Sequence, residues 1–281
     1  MIGPDRFGRV TAAARVPEQV TAYVRAVSGA APRMVGECVA YAAEGRLLLV
    51  GYPLHDPQDR GAMAAAVAEA LALPGVETLA VIGPCRPPQA PPGAAGREDR
   101  YFGLGLPPPR PGAKLRSLLA RAGRQLTLET GRSFGSDHAE LVAQTSARRD
   151  LSPGTRRIFG GIARYLESSA GSRLFSARLP DGRLAAFGIG EYAAFETAFY
   201  MFAFRDPGVA PPGAADLVLA ALIAEAERRG QTRLNLGLGV NPGIEFFKRK
   251  WGAEPFLPYV EVEWRPASST RAGTGWPARR R

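Results

Sequence analysis

The sequence predicts an α/β protein of the α+β kind, a mixed and mostly antiparallel sheet flanked by helices, on three observations. Short segments of apolar alternation, such as VETLAVIG, RLAAFGIGE and TRLNLG, are interspersed with segments of helical character such as GAMAAAVAEALAL and AADLVLAALIAEAER. Three strand-like segments, 173–179, 183–192 and 196–204, follow one another with no helix between them. The first two are joined by the Pro180-Asp181-Gly182 turn, which suits an antiparallel hairpin. Finally, the two halves resemble each other. GRLLLVGYPL leads through His55-Asp56-Pro57 and Gly61-Ala62 into an apolar helix and a strand, and GRLAAFGIGE leads through Arg205-Asp206-Pro207 and Gly213-Ala214 into another such pair. That pattern reads as a tandem repeat whose first copy is shortened.

In order along the chain, 37–52 reads as two strands around a Glu44-Gly45 turn, 61–73 as a helix and 76–82 as a strand. Residues 86–111, rich in Pro, Gly, Ala and Arg, read as a linker wrapped around the short strand YFGLGL. A helix over 114–123 and a strand over 125–130 come next. Asp137 followed by Glu140 has the spacing of a capping box and opens a helix over 137–149; 152–168 reads as one further helix. After the three strands come a helix over 214–229, a strand over 233–238, a helix over 242–251 and a strand over 258–264. The expected organisation is a shortened unit with its linker over 1–110, a complete unit over 111–265 and a flexible basic tail over 266–281.

Composition narrows the function. The chain has 281 residues, 46% hydrophobic and 22% charged, which fits a folded protein of two domains or one large one. No apolar run is long enough to span a membrane and MIGPDRFGRV lacks a signal-peptide core, so a cytoplasmic protein is expected. Cys38, Cys85, His55 and His138 have no zinc-ligand spacing, and no metal site is expected. The net charge of +10 is almost wholly arginine, a side chain whose planar fork suits phosphate, though a solvated surface accounts for it as well. Between Arg86 and Arg132 there are nine basic residues against three acidic ones.

Two motifs mislead. Gly131-Arg132-Ser133-Phe134-Gly135 has the GxSxG form of a hydrolase elbow, but His138 follows it too closely to return as a triad base. Gly237-Leu238-Gly239 precedes no complete dinucleotide-binding unit.

The order of elements in the second half resembles the GNAT acyltransferase fold. Within that superfamily, RLNLGLGVNPGIEFFKRKWGAEP is similar to the closing segment of FemAB-like transferases and of the soluble C-terminal domain of phosphatidylglycerol lysyltransferases. The resemblance extends over about 34–264 and is strongest over 174–264; it implies two tandem GNAT units, the first degenerate. It also implies that the donor meets the start of the helix after the fourth strand, here Gly213, Ala214 and Ala215, where unpaired amides favour negative charge. The segment departs from the acetyl-CoA signature: Pro211 and Pro212 remove amide donors, only one glycine is present, and Asp216 would oppose an anion.

Alternation along 196–204 puts Glu196, Ala198, Tyr200, Phe202 and Phe204 on one face, making Glu196 a candidate base and Tyr200 a candidate proton donor. An exposed strand-end carboxylate and a core tyrosine are the plain alternatives. Asn235 stands where the related families are often acidic. Asn235, Asn241, Lys248, Arg249 and Lys250 complete the expected donor-binding set, with Phe247 and Trp251 packing inward. The resemblance implies no permanently bound cofactor and a co-substrate that is either aminoacyl-tRNA or acyl-CoA. A small molecule, peptide or lipid would be the acceptor. Three readings stay open: aminoacyl transfer from tRNA, acyl-CoA-dependent N-acyl transfer, and a non-catalytic binding module.

Overall fold

A computed structural model describes residues 4–266. From the N-terminus, helices α1 (Pro4–Ala12) and α2 (Thr21–Ser28) flank a 3-10 turn at Pro17–Gln19. Strands β1 (Ala31–Val35), β2 (Cys38–Ala43) and β3 (Arg46–Val50), helix α3 (Arg60–Ala72), and strands β4 (Thr78–Gly83) and β5 (Ala95–Gly105) follow. Next are α4 (Ala113–Gln125), β6 (Thr127–Gly131), α5 (Ser136–Ala147), α6 (Pro153–Gly160), α7 (Ile162–Ser168), β7 (Ser172–Arg178), β8 (Leu184–Glu191) and β9 (Thr197–Arg205). The chain closes with α8 (Ala214–Arg228), β10 (Arg233–Leu238), α9 (Pro242–Lys250) and β11 (Glu254–Trp264). Residues 267–281, which hold nearly all of the expected basic tail, lie outside the described residues.

The fold is the mixed, mostly antiparallel α/β arrangement expected, in one eleven-stranded sheet ordered β1-β2-β3-β4-β11-β5-β10-β9-β8-β7-β6. Its pairing is nearly symmetric about the β11–β5 pair. β3 and β4 are parallel, as are β9 and β10; β4 pairs antiparallel with β11, and β10 pairs antiparallel with β5. The last strand thus returns to the first half, while β5 crosses to the second.

The linker expected over 86–111 is therefore corrected, since its middle is a long central strand. Residues 95–100, Ala-Gly-Arg-Glu-Asp-Arg, have little intrinsic preference for a strand, and pairing with β11 supplies it. Arg97 donates to Glu261 Oε2 at 2.7 Å and to the Tyr259 hydroxyl at 2.9 Å across that pair.

Both faces of the sheet are covered. Phe102 and Leu104 of β5 join Leu115, Ala122, Val218, Leu222 and Trp251 under α4, α8 and α9. Tyr101, on the opposite face, joins Val16, Val24, Tyr41, Tyr52 and Tyr259 beneath the N-terminal helices. The 3-10 turn is pinned there: Gln19 Nε2 donates to Tyr52 O at 2.8 Å, Tyr41 donates to Glu18 O at 2.8 Å, and Tyr101 donates to the Glu18 carboxylate at 2.7 Å.

Two helix boundaries differ from expectation. The segment 152–168 is two helices because α2 presses on Gly161, where an added Cβ would sit 2.7 Å from Val27 Cα. At α5 the N-cap is Gly135, whose N–H donates to His138 Nδ1 at 3.2 Å, while Asp137 lies inside the helix and pairs with Arg178 at 2.6 Å.

Candidate active site

The two parallel strand pairs differ in one respect that selects a site. β3 and β4 stay in register from Arg46↔Thr78 to Val50↔Ile82, and Gly51 N donates onward to Ile82 O at 2.6 Å. β9 and β10 pair only from Arg233↔Thr197 to Asn235↔Phe199 and then part. The second half opens a wedge that the first keeps closed.

Both strands are irregular at the opening. The β8–β9 register shifts between Ile189↔Phe202 and Gly190↔Tyr200, so β9 carries an extra residue. Alternation is broken there, which corrects the single face expected for 196–204. Ala198 and Tyr200 turn toward α8, whereas Phe202 and Phe204 turn toward α5, α6 and α7.

On β10, Gly237 is left-handed (φ 76°) and the register with β5 shifts between Asn235 and Leu238. Three polar side chains hold the detached main chain. Asn235 Oδ1 accepts from Gly237 N at 2.8 Å, Asp99 accepts from Gly239 N and Val240 N at 3.0 Å each, and Lys248 Nζ donates to the carbonyls of Gly237 (2.9 Å) and Leu238.

On the α8 side of the opening, Tyr200 has a buried hydroxyl with no hydrogen-bond partner among the described residues. Burial pushes its pKa up, with the Asp216 carboxylate adding to the shift, so the group stays a neutral phenol able to donate. Asp216, buried in the first turn of α8, accepts from Trp251 Nε1 at 3.0 Å and pairs with Lys250 at 2.6 Å. An orphaned buried hydroxyl is the kind of group a bound ligand satisfies.

The other expected residues fall in different places. Glu196 has a side chain 60% exposed, pairs with Arg15, and sits where β9 and β10 are still together, its carbonyl accepting from Thr232 N and Arg233 N. Four strand residues, about 13 Å, separate it from Tyr200. Its hydrogen bond from Arg15 and the arginine charge lower its pKa, the wrong direction for a base. Gly213, Ala214 and Ala215 do open α8, with Ala214 buried and Gly213 and Ala215 half-buried; α4 packs beside this terminus, and a Cβ at Gly213 would be 2.9 Å from Leu118 Cγ.

Asn235 is fully buried, its Nδ2 donating to Arg15 O at 2.9 Å. Lys248 is 4% exposed, and burial lowers its pKa to about 8. Neither Asn235 nor Lys248 lines a phosphate path, and Lys250 is committed to Asp216. Asn241 and Arg249 do come together, in a surface pocket of about 710 Å³ that Arg100, Glu245 and Phe246 help to line. Its rim is strained: Val240 is left-handed (φ 62°), a conformation a β-branched side chain rarely adopts.

The GxSxG loop borders a separate cavity of about 680 Å³, which also contains Ser176 and His138. Because Gly135 N–H is donated to His138 Nδ1, the ring proton lies on Nε2 and is donated to Ser176 Oγ at 2.8 Å. Asp137 Oδ1, 2.9 Å from Nδ1, is taken by the main-chain N–H of His138. The imidazole activates neither serine.

Comparison with known proteins places this geometry. Residues 112–249 match the family model described as an acetyltransferase (GNAT) domain. No curated protein sequence matches the chain. Among solved structures, the chain is similar to FemX, with 12% identity, a TM-score of 0.64 and coverage of 92% of this chain and 96% of that one. It is likewise similar to the C-terminal domain of an Agrobacterium fabrum protein described as a lysylphosphatidylglycerol synthetase (15%, TM-score 0.61, 92% and 90%). A tandem GNAT protein from the clavulanic acid biosynthesis pathway shares the fold as well (13%, TM-score 0.53, 94% of each). Residues 112–249 form a GNAT acyltransferase domain, and the whole chain has the fold of the tandem GNAT proteins.

Proposed function

We propose that this protein transfers an aminoacyl group from aminoacyl-tRNA to an amine or hydroxyl of a small molecule, peptide or lipid, in the cytoplasm where charged tRNA is available. The observation that carries this reading is α4 packing against the start of α8 at Gly213, which, with Pro211 and Pro212 lacking amide donors, crowds the helix terminus a CoA pyrophosphate would need. The likeness to FemX and to a protein named for a lysyl lipid supports it. In the same reading 1–110 and 111–265 are two GNAT units that exchange β5 and β11, and the second is catalytic because its wedge is open.

The donor ester is already activated, so positioning supplies most of the catalysis. The acceptor nitrogen or oxygen attacks the ester carbonyl, the bond to the ribose oxygen breaks, and Tyr200 gives that oxygen its proton. The proton lost by the acceptor restores the phenol through water. Asp216, Lys250 and Trp251 hold the α8 side of the site, while Asn241 and Arg249 face the donor from their pocket.

Acyl-CoA is the second reading, favoured by the acetyltransferase description of the matching domain. Calorimetric titration with bulk tRNA and with acetyl-CoA, at two salt concentrations, separates the two. Salt-sensitive tRNA binding without CoA binding is expected; tight CoA binding without tRNA binding overturns the proposal.

A further inference from the structure

We propose that the solvent face of α4 is the docking surface for the sugar–phosphate backbone of the donor RNA; this rests on the aminoacyl-tRNA reading and says where the body of that donor lies. Along 110–124 the chain is RPGAKLRSLLARAGR, with five cations and no acid. Arg110, Lys114, Arg116, Arg121 and Arg124 are all exposed, and none forms an ion pair with a described residue. Several arginines elsewhere are instead paired with acids. Arg97 pairs with Glu261, Arg178 with Glu129 and Asp137, and both Arg228 and Arg229 with Glu225.

The helix is sided. Leu115 and Ala122 are buried and Leu118 and Leu119 pack against the α8 cluster, so the cations project from the opposite face. With a rise of about 1.5 Å per residue, Lys114 to Arg124 covers about 15 Å, enough for several successive phosphates. The pyrophosphate of a single small cofactor would occupy only part of such a track.

Position and chemistry choose the partner. Leu118 and Ala122 touch the start of α8 at Gly213, so α4 borders the helix that forms one side of the wedge, and a polyanion on its solvent face would lie beside the site. An anionic bilayer is the competing polyanion. A helix that lies in a membrane surface needs an outward apolar stripe, and between its cations α4 presents only Ser117, Ala120 and Gly123. The surface can neutralise phosphates without inserting.

The test is Lys114→Glu/Arg121→Glu/Arg124→Glu in the full chain, with a glutamine triple variant as a milder partner and circular dichroism to establish folding. Bulk tRNA binding is measured across salt concentrations, alongside phosphatidylglycerol vesicles. Each lost phosphate contact removes about 0.7–0.9 from the slope of log K against log salt, so the glutamine variant should lose about 2 units of slope and at least about tenfold in affinity. Unchanged affinity and slope in either folded variant overturns the α4 surface while leaving the aminoacyl-tRNA reading intact. Wild-type protein that binds vesicles or acetyl-CoA but no tRNA overturns both.

Discussion

Tyr200 and Glu196 stand four residues apart on one strand and have opposite surroundings. The Tyr200 hydroxyl is buried without a partner among the described residues, so Tyr200→Phe removes a polar atom that they do not use. Stability should hold or rise, by up to about 1 kcal/mol, while turnover falls about 10²-fold. A merely structural tyrosine would leave turnover unchanged, and thermal melts beside initial rates distinguish the two. Glu196→Gln gives up one exposed ion pair with Arg15 and should leave turnover at the wild-type rate. At Lys248 the sign reverses. Its ammonium answers two carbonyls that the parted strands leave unpaired, so Lys248→Met should cost about 1–3 kcal/mol in denaturant unfolding. Tyr200 is a candidate from strand alternation alone, whereas the Glu196 pair with Arg15 and the Lys248 contacts to detached carbonyls are not legible, because each depends on tertiary neighbours. Past Tyr200 an extra residue in β9 changes the phase of Phe202 and Phe204, and nothing in FETAFYMFAF marks where it falls.

At the scale of elements, α5 joins a cap to a titration. His138 is 3% exposed, and burial lowers its pKa below the ordinary histidine value. Asp137, Glu129 and Arg178 are the charged groups around it. The folded protein therefore resists the proton that the unfolded chain accepts below about pH 6.5. Stability from this group is complete above that pH and is lost as pH falls from there toward the lower folded pKa. Melting temperature should thus drop more steeply below pH 6.5 in the wild type than in His138→Gln; parallel profiles would refute the assignment. The helix is legible in the sequence, but its cap is not. Asp137 with Glu140 has capping-box spacing, yet the N–H that needs an acceptor belongs to Gly135 and finds an imidazole. The break between α6 and α7 was hidden for a similar reason, because α2 presses on Gly161 from far away in sequence.

Across the whole molecule, β11 and β5 bind the halves together. β11 lies between β4 and β5, and β5 lies between β11 and β10, so neither half owns its closing strands. Neither half can lose its sheet without the other losing a partner. A single cooperative unfolding transition is expected, with calorimetric and van't Hoff enthalpies equal; two separated transitions would contradict it.

The sequence by itself determined the local elements of the second half, the antiparallel hairpins, the helix α8, the 233–238 strand and the GNAT resemblance. Those signals are short-range, set by the period of apolar residues and by turn residues such as Pro180-Asp181-Gly182. Only the tertiary structure decided that 95–105 is a central strand, that β9 and β10 part while β3 and β4 do not, and that α4 packs against Gly213. It alone showed that Lys248 and Asn235 make buried hydrogen bonds to main-chain groups and that Lys250 pairs with Asp216. The reason is the same for each: these features depend on which distant segment arrives as neighbour, and main-chain groups left unpaired by that arrival take whatever side chain is within reach.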